Sequence, residues 1–518
     1  MLVRPSAENL KALKEELAAP KFGAYYIYFT NTVKADYLHQ LAEADTQHMV
    51  QAVHEVYADF YAMSGNLFHL NMGGSLSLSL PKARWSRSED ILFERTAAGL
   101  SALLLAFKIK PYVRHQRTAA AQALAREISS IMASERELFT FKRPAATPML
   151  LILDRQEDPV TPLLSQWTYQ AMLHELVGIN ANRVSLGSAP GVKADKRELP
   201  VGPLVDDFFR ENMYANYGDL GRAVNVLIEQ YKSVRSVTEN ITSIEDMQRF
   251  VDHYPELRKH DNVTGKHMTL LSEMSRLVDA NGLFEVSEAE QAVACSNAPS
   301  DHFASIQELM ERSDVTQIDA LRLVMLFALR YEASEQRRID DLKAALVSTK
   351  GLRAGDVALI DLVLKYGGIS ARDGDLFNNK SFLSRMTASV TAGFKGVENV
   401  FTQHQPLLKS TLDALTGGTL SKSMYPVAGA DPPSGQLGPV VVFVVGGVTH
   451  EEAASVAQLN AKLSATGGAT RIILGGTAVH NSKSFMAELA RLGGSVASPD
   501  HVAVQVGSPG AGAGAGGW

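Results

Sequence analysis

Two glycine pairs have the spacing that most resembles a ligand-binding motif. Gly446-Gly447 and Gly475-Gly476 each follow a run of apolar residues, and a threonine and a histidine come shortly after each pair. Glycine turns between a parallel strand and a helix bind phosphate in many α/β folds, because backbone N–H groups point there. The alternative is structural, with glycines that reverse the chain and Thr449 or Thr477 capping the next helix. The structural alternative is favoured, and a nucleotide-dependent enzyme is kept as the competing hypothesis.

An acidic cluster is the second candidate for chemistry. Asp154, Arg155, Glu157 and Asp158 come directly after the apolar run Met149 to Leu153. Acidic groups at the carboxyl end of a parallel strand are typical of active sites, but the same residues also form salt-bridged turns. The sequence contains no Walker A, G-x-G-x-x-G, G-x-S-x-G, H-E-x-x-H or C-x-x-C motif. We therefore assign no catalytic, cofactor-binding or metal-binding residues.

The composition is that of an ordinary globular protein. The 518 residues are 20% charged and 46% hydrophobic, which suggests roughly two to four domains. The net charge of -6 provides no overall positive field for nucleic acid or anionic membranes. The one cysteine, Cys295, cannot form an intramolecular disulfide, and no apolar run is long enough to span a bilayer. We expect a cytoplasmic protein that does not bind nucleic acid.

The first part of the chain alternates between strand and helix patterns. Residues 24–29 form an aromatic, β-branched run, and a helical pattern follows through Leu38 and Leu41 and extends to Val50 and Val53. The next strand is expected at 66–70, and the serine-rich stretch 71–88 is expected to be a linker. Because such a sheet normally starts with a buried central strand, we expect strands preceding Met1 to be missing.

The α/β pattern is interrupted and then resumes. Apolar runs at 149–153, 439–445 and 471–474 have the composition of buried parallel strands, so we expect one sheet built from two distant segments. Between about 180 and 410 the apolar residues follow helical spacing, including helices centred on 316–331 and 355–365. This stretch predicts a large helical domain inserted between two α/β segments.

A helical hairpin is predicted at 243–281. Pro255 ends or kinks its first helix, because proline lacks an N–H and clashes with the preceding turn. The apolar face is consistent with antiparallel core packing, or with a tip that changes shape and offers a groove to a partner helix. The residues of this face and bend are Met247, Phe250, Val251, Tyr254, Pro255 and Leu257.

Several segments together resemble the SM proteins, the Sec/Munc-type regulators of SNARE-mediated membrane fusion. The family signature is carried by Leu150–Arg155, Asp158, Thr161–Leu164, Gln166–Met172 and His174–Leu176. The endosomal branch of the family is indicated by Phe394–Val400, Thr402–Pro406, Val444–Glu452 and Ile473–Thr477. The resemblance extends from about Arg4 to Leu492.

The resemblance implies an α/β plus α fold. The expected architecture is a three-domain arch, with two Rossmann-like parallel-sheet domains, the second discontinuous, and a large helical domain with a protruding helical hairpin. The expected segments are 1–72 (partial first domain), 73–180 and 411–506 (second domain), 181–410 (third domain, hairpin 219–281) and 507–518 (disordered tail).

The resemblance also implies a function and partners. The protein would regulate vesicle docking and fusion in Golgi, endosome and vacuole trafficking, by templating SNARE assembly with a syntaxin-type SNARE and binding the assembled SNARE complex. The hairpin residues above would contact a vesicle SNARE helix. Phe29, Leu38 and Leu41 would form the first-domain pocket for a syntaxin N-terminal peptide, and core packing is the alternative for these three. The resemblance implies no enzymatic activity and no cofactor, and membrane association at the Golgi, trans-Golgi network and endosomes would occur only through SNAREs.

Overall fold

The computed structural model describes two compact units of the chain. The described residues are 1–142, 145–187, 189–190, 192, 197–239, 263–373, 376–377, 401–429 and 435–494. The first unit, here called the sheet unit, comprises Met1–Arg155, Ala414–Val448 and Val456–Val479. The second, here called the helical unit, comprises Gln156–Asp413, Thr449–Ser455 and His480–Trp518.

The sheet unit begins with a three-stranded parallel sheet. Its elements are β1 (Leu2–Val3), α1 (Ala7–Ala18), β2 (Tyr25–Phe29), α2 (Ala35–Ala44) and β3 (Val50–Glu55). The strand order is β1-β2-β3, so β2 is central. Side chains alternate between the two faces of a strand, and Tyr25, Ile27 and Phe29 therefore enter a core shared with the leucines of α1.

The predicted extension of the second helix through Val50 and Val53 is wrong. Helix α2 ends at Ala44, and both valines lie in β3, which pairs with β2. The carboxylate of Asp45 accepts hydrogen bonds from the backbone N–H groups of Met49 and Val50 at 2.8 and 3.0 Å. These bonds turn the chain after the helix. The valine spacing fitted a helix, but β-branched side chains favour the strand that forms.

A seven-stranded sheet forms the larger part of the sheet unit. Its strands are β4 (Tyr61–Ser64), β5 (Leu67–His69), β6 (Tyr112–His115), β7 (Thr147–Asp154), β10 (Val427–Ala428), β11 (Leu437–Val445) and β13 (Ile472–Gly476), in the order β10-β6-β7-β11-β13-β5-β4. Strands β7 and β11 are parallel neighbours in register from Met149–Val440 to Asp154–Val445. The prediction of one sheet built from two distant segments is therefore confirmed.

The central strands are apolar throughout because both faces are covered. Leu150, Ile152 and Phe443 are buried in a cluster with leucines of α3 (Arg87–Ala106) and α4 (Ala119–Ser134). A parallel strand that is buried on both faces has a continuous apolar run and lacks the alternating pattern of a half-exposed strand. This explains why the two longest strands were the easiest to predict.

The structure of residues 61–88 differs from two of the predictions made from the sequence. The strand at Leu67–His69, expected in the first domain (1–72), pairs in parallel with β13 and so belongs to the seven-stranded sheet. A short strand pattern does not specify which sheet the strand joins. The expected linker 71–88 contains two 3₁₀ turns, Ser75–Ser79 and Lys82–Arg84, and the side chains of Leu76 and Leu78 are only 1% exposed. Its serines satisfy buried polar groups there, which a loop pattern does not predict.

The helical unit is built mainly from helices, as predicted. They are α5 (Tyr169–Leu176), α6 (Asp207–Asn212), α7 (Tyr217–Glu239), α8 (263–280), α9 (Leu283–Cys295), α10 (Pro299–Glu311), α11 (Gln317–Tyr331), α12 (Gln336–Ser348), α13 (Ala354–Val357), α14 (Leu359–Gly367), α15 (Leu407–Thr416) and α17 (Ser482–Leu492). The last residues of α15, from Ala414, belong to the sheet unit, and helix α16 (His450–Ala465) also contains residues of both units. The α/β plus α fold class is confirmed.

In the part of the chain that the structure describes, four short strands lie outside the two larger sheets. Strands β8 (Arg183–Ser185) and β9 (Glu198–Pro200) form a small antiparallel hairpin in the helical unit, which the sequence did not indicate. Strands β12 (Val448–Thr449) and β14 (Val479–His480) are the other two. Within the described ranges, none of the helices combines the length and apolar character needed to cross a bilayer.

Candidate functional site

The glycine pairs are explained by backbone geometry and packing. Gly446 and Gly447 have φ angles of 87° and 92°, which residues with a side chain rarely adopt. Gly475 has no room for a side chain, because a Cβ atom there would lie 2.0 Å from Cζ of Phe68. The glycines are therefore required by the chain itself, without a bound phosphate.

The threonines after the glycines have structural partners. Thr449 caps α16, since its Oγ1 accepts the N–H of Glu452 at 3.3 Å and its own N–H donates to the Glu452 carboxylate at 2.8 Å. Thr477 does not cap a helix. Its hydroxyl contacts that of Ser75 at 2.7 Å, and Asn481 caps α17. These contacts support the structural alternative to a nucleotide site.

The acidic side chains at the end of β7 and just after it accept hydrogen bonds from hydroxyl and backbone N–H groups. Ser79 Oγ donates to Asp154 at 2.7 Å. The carboxylate of Asp158 accepts the N–H and Oγ1–H of Thr161 at 3.0 and 2.6 Å, and the N–H of Leu407 at 3.1 Å. In the described part of the chain, no set of three or more histidine, cysteine or acidic side chains is arranged to hold a metal ion.

The three residues predicted to bind a syntaxin N-terminal peptide differ in exposure. Phe29 and Leu41 are 1% and 4% exposed and belong to the core of the first sheet. Leu38, on the outer side of α2, is 38% exposed. The structure thus places Phe29 and Leu41 where the core-packing alternative puts them, and the pocket stays a prediction for which Leu38 is the accessible residue.

The predicted hairpin contact residues lie outside the described residues. They are Met247, Phe250, Val251, Tyr254, Pro255 and Leu257. The helices that lead into and out of this segment, α7 and α8, are described over Tyr217–Glu239 and 263–280. The hairpin is therefore built here from these two helices.

The two hairpin helices share one apolar cluster. Leu220 and Val224 of α7 are buried with Leu270, Met274 and Val278 of α8. Their spacing of three to four residues places each set on one face of its helix, as the sequence predicted. This packing accounts for the buried faces and leaves the opposite faces available.

A buried polar network holds the first turn of α8. Tyr169 OH donates to Nδ1 of His267 at 2.8 Å, and Nε2 of His267 donates to Asp206 at 3.2 Å. This arrangement requires the neutral tautomer with its proton on Nε2. Asp206 also pairs with Lys266 and accepts the N–H of Phe209 at 2.9 Å, which caps α6. The network joins α5, α6 and α8 at the base of the hairpin.

Burial sets the protonation states of this network. It lowers the pKa of His267, outweighing the neighbouring Asp206 carboxylate, and it raises the pKa of Tyr169. Burial alone would raise the pKa of Asp206, but the hydrogen bonds donated by His267, Lys266 and the backbone N–H of Phe209 hold it well below its usual value. The network therefore contains a neutral imidazole beside an ionised carboxylate.

An aromatic cluster fixes the first turn of α7. The ring of Trp167 stacks on Phe284 with a centroid distance of 5.0 Å, lies 5.0 Å from Phe401, and meets Tyr217 edge-on at 5.9 Å. Its Nε1 donates to Ser287 Oγ at 2.7 Å. Tyr217 is the first residue of α7, so the cluster anchors the start of that helix.

A buried ion-pair network lies under this cluster. The guanidinium of Arg322 is 2.9 Å from Glu290 and 2.6 Å from Asp319, and Glu290 also accepts the N–H of Ser165 at 2.7 Å. Burial raises the pKa of Glu290 to about 7, although the charge of Arg322 opposes the rise. The network ties α9 and α11 to the segment before α5.

Large apolar side chains remain exposed near the hairpin base. Val226 of α7 is 57% exposed and Met268 of α8 is 47% exposed. Leu204 and Val205, in the turn before α6, are 70% and 71% exposed. Single exposed apolar residues are common on protein surfaces, so these side chains are available for a protein contact but do not by themselves mark one.

Sequence reasoning missed the polar network, the aromatic cluster and these exposed residues. Tyr169 and Trp167 lie within the family signature around Gln166–Met172, but nothing in the sequence paired them with His267 or Phe284. Polar side chains inside the helical pattern of α8 were the available signal, because buried polar groups need partners.

The comparison with family models gives a single family over most of the chain. The model described as the Sec1 family matches residues 1–488.

Relatives from distant organisms align over nearly the whole chain. The Vacuolar protein sorting-associated protein 45 homolog of Arabidopsis thaliana is 41% identical over 493 residues, which are 94% of this chain and 85% of that protein. Vacuolar protein sorting-associated protein 45 of Homo sapiens is also 41% identical, covering 95% of this chain and 84% of that protein.

A solved complex has the same fold. The SM protein Vps45 in complex with the Qa SNARE Tlg2 matches with a TM-score of 0.83 and 38% identity, covering 95% of this chain and 86% of that one.

Proposed function

Because this chain belongs to the Sec1 family, we propose that it is a SNARE-binding regulator of vesicle docking and fusion in Golgi, endosome and vacuole trafficking. Its principal partner is a syntaxin-type SNARE. The observation that carries this proposal is the similarity to Vps45 in complex with the Qa SNARE Tlg2, at 38% identity over 95% of the chain.

The mechanism we propose is templating of SNARE assembly. A rigid surface that buries the apolar face of a partner helix holds it in place before its other partners arrive. Chains aligned in this way lose less conformational freedom when they assemble, so assembly is faster. No covalent bond is made or broken in this mechanism, and no cofactor takes part. A nucleotide-dependent enzyme has no support from the glycine turns, which packing explains.

We assign two contact regions within this proposal. The hairpin binds a SNARE helix through its predicted residues Met247 to Leu257 and through the exposed apolar residues near its base, such as Val226 of α7, which is 57% exposed. The first sheet binds a syntaxin N-terminal peptide at the surface that Leu38 presents. Attachment to Golgi, trans-Golgi network and endosomal membranes follows from SNARE binding.

The test uses the purified chain, the cytosolic domain of an endosomal syntaxin-type SNARE and liposomes that carry the cognate SNAREs. Calorimetry measures binding and lipid mixing measures fusion. We expect saturable binding and a faster fusion rate. Failure to bind any SNARE would contradict the family-based proposal, while binding without a change in fusion rate would indicate a passive tether.

Val226→Asp tests the hairpin contact. A charge at this exposed apolar position should weaken binding of the assembled four-helix SNARE bundle about fivefold, the effect of losing roughly 1 kcal/mol at an interface. Asn225→Asp is the matched control, because it adds the same charge at an adjacent, exposed position on another side of α7. Equal affinities of the two variants for the SNARE bundle would show that Val226 is not part of the interface.

A further inference from the structure

A groove runs along one edge of the seven-stranded sheet, between α4 and β10. Its volume is about 540 Å³, and it lies wholly within the sheet unit. Small-molecule sites have comparable volumes, roughly 300–1,000 Å³. The groove is separate from the surfaces discussed above, and its binding properties are independent of the proposed SNARE function.

The strand that forms one wall of the groove has a free edge. Strand β10 is the last in the sheet order and pairs with β6 through Val427 and Ala428. Among the strands of the described chain, none pairs with its other edge. A free strand edge carries unpaired N–H and C=O groups, and an extended peptide binds there by strand addition.

The chain ahead of β10 is held in place. The guanidinium of Arg114, on β6, donates to the backbone carbonyl of Tyr425 at 2.8 Å and to that of Ser421 at 3.0 Å. The edge strand is therefore positioned by the sheet itself before a peptide binds. A fixed template lowers the entropic cost of strand addition.

Helix α4 supplies the other wall and a positive charge. Gln122, Arg126, Ser129 and Ser130 line the groove, and their spacing puts them on one face of the helix. Arg126 is exposed and forms no ion pair with any residue of the described chain. Its neighbour Glu127 does not line the groove. The wall thus presents one uncompensated cation with amide and hydroxyl groups beside it.

A buried histidine completes the lining. His115 is only 4% exposed, and its Nδ1 lies 2.8 Å from the carbonyl oxygen of Gln116. Because a carbonyl can only accept, Nδ1 carries a proton. The groove therefore combines the His115 ring in its lining with the Arg126 cation, which attracts a carboxylate.

We infer that this groove binds an extended peptide segment with an acidic side chain, which adds to β10 as a further strand and places its carboxylate against Arg126. The free edge specifies an extended backbone, and the unpaired cation specifies an acidic residue. The hydroxyl and amide groups of α4 suit small polar side chains next to that residue.

The test uses the full chain and two fluorescein-labelled hexapeptides of alternating valine and threonine, one with a central glutamate and one with a central lysine. Fluorescence anisotropy should show saturable binding of the glutamate peptide and at least about fivefold weaker binding of the lysine peptide, as expected for an exposed ion pair. Arg126→Glu should weaken binding of the glutamate peptide about tenfold, because the attraction between the two side chains becomes repulsion. The same substitution should strengthen binding of the lysine peptide.

Two controls keep the test decisive. Arg87→Glu makes the same charge change at an exposed position of α3 outside the groove, and binding should be unaffected. Ser130→Trp should block the groove while leaving Arg126 in place. The inference is overturned if neither peptide saturates, if Arg126→Glu binds like the parent chain, or if millimolar inorganic phosphate displaces the peptide completely, which would make the site one for a free anion.

Discussion

At the scale of single residues, glycine is required at position 475 because the ring of Phe68 packs directly against it. A Cβ atom at this position would lie within 2.5 Å of three ring carbons of Phe68, which is itself buried against Phe443. We expect Gly475→Ala to lower the free energy of unfolding by about 1–3 kcal/mol, the usual cost of overfilling a core. Urea denaturation followed by circular dichroism measures the change.

Gly435→Ala is the control for this substitution. Gly435 is exposed, and a Cβ atom there would have Oγ1 of Thr147 as its nearest neighbour, at 3.8 Å, an ordinary contact. The stability of this variant should stay within about 0.5 kcal/mol of the parent chain. Equal effects of the two substitutions would show that the sheet accommodates Gly475→Ala, and the packing explanation would then be wrong.

His267 makes stability depend on pH. Burial lowers its pKa below the usual 6.5 in the folded chain, so below that pH the unfolded chain binds a proton that the folded chain does not. Stability is therefore fully present above about pH 6.5 and declines as the pH falls. The pKa of Asp206 is held below its usual value of 3.8 in the folded chain, so this residue adds a further loss of stability only below about pH 3.8.

The variant His267→Gln removes this titration. Between about pH 8 and pH 5, the parent chain should lose up to about 2 kcal/mol more than this variant. Thermal melting across that range measures the difference, and His39→Gln, at an exposed position, should behave like the parent. Parallel pH profiles for the parent and His267→Gln would contradict the neutral, buried imidazole.

At the scale of elements, α2 separates a core face from an exposed face, to which we assign the binding of a syntaxin N-terminal peptide. Leu41 points into the core of the first sheet and Leu38 away from it. Leu38→Asp should weaken binding of a syntaxin N-terminal peptide about fivefold or more. The melting temperature should not change, because only an exposed apolar contact is lost. Titration calorimetry with the peptide provides the measurement.

Two further variants of α2 distinguish binding from folding. His39→Asp adds the same charge at the next exposed position and should leave peptide binding intact. Leu41→Asp should destabilise the chain, because it buries a charge without a partner. If Leu38→Asp binds the peptide normally, the pocket lies elsewhere on the first sheet.

The elements that sequence predicted best are those with a long, uniform pattern. Strands β7 and β11 are continuous apolar runs, and α11 was expected at almost its observed bounds of Gln317–Tyr331. Strand β3 was missed because its valines also fit a helical spacing, and long-range pairing with β2 decides between the two. The 3₁₀ turns at 75–84 were missed because their burial depends on neighbours distant in sequence.

At the scale of the whole molecule, the family could be identified from sequence and the site geometry could not. The signature around Leu150–Leu176 is contiguous and specific, so it is readable without a structure. The contacts that position the hairpin join Tyr169 to His267 and Trp167 to Phe284, residues about one hundred positions apart. Such contacts depend on tertiary packing, which periodicity does not encode.

The pairing of β7 with β11 also constrains how the protein folds during synthesis. Strand β7 (Thr147–Asp154) leaves the ribosome long before its neighbour β11 (Leu437–Val445), and the whole helical insertion is translated between them. Until then one edge of a strongly apolar strand lacks its native neighbour, and such an edge is prone to aggregation. We therefore expect nascent chains of this protein to need protection from aggregation until β11 has been translated.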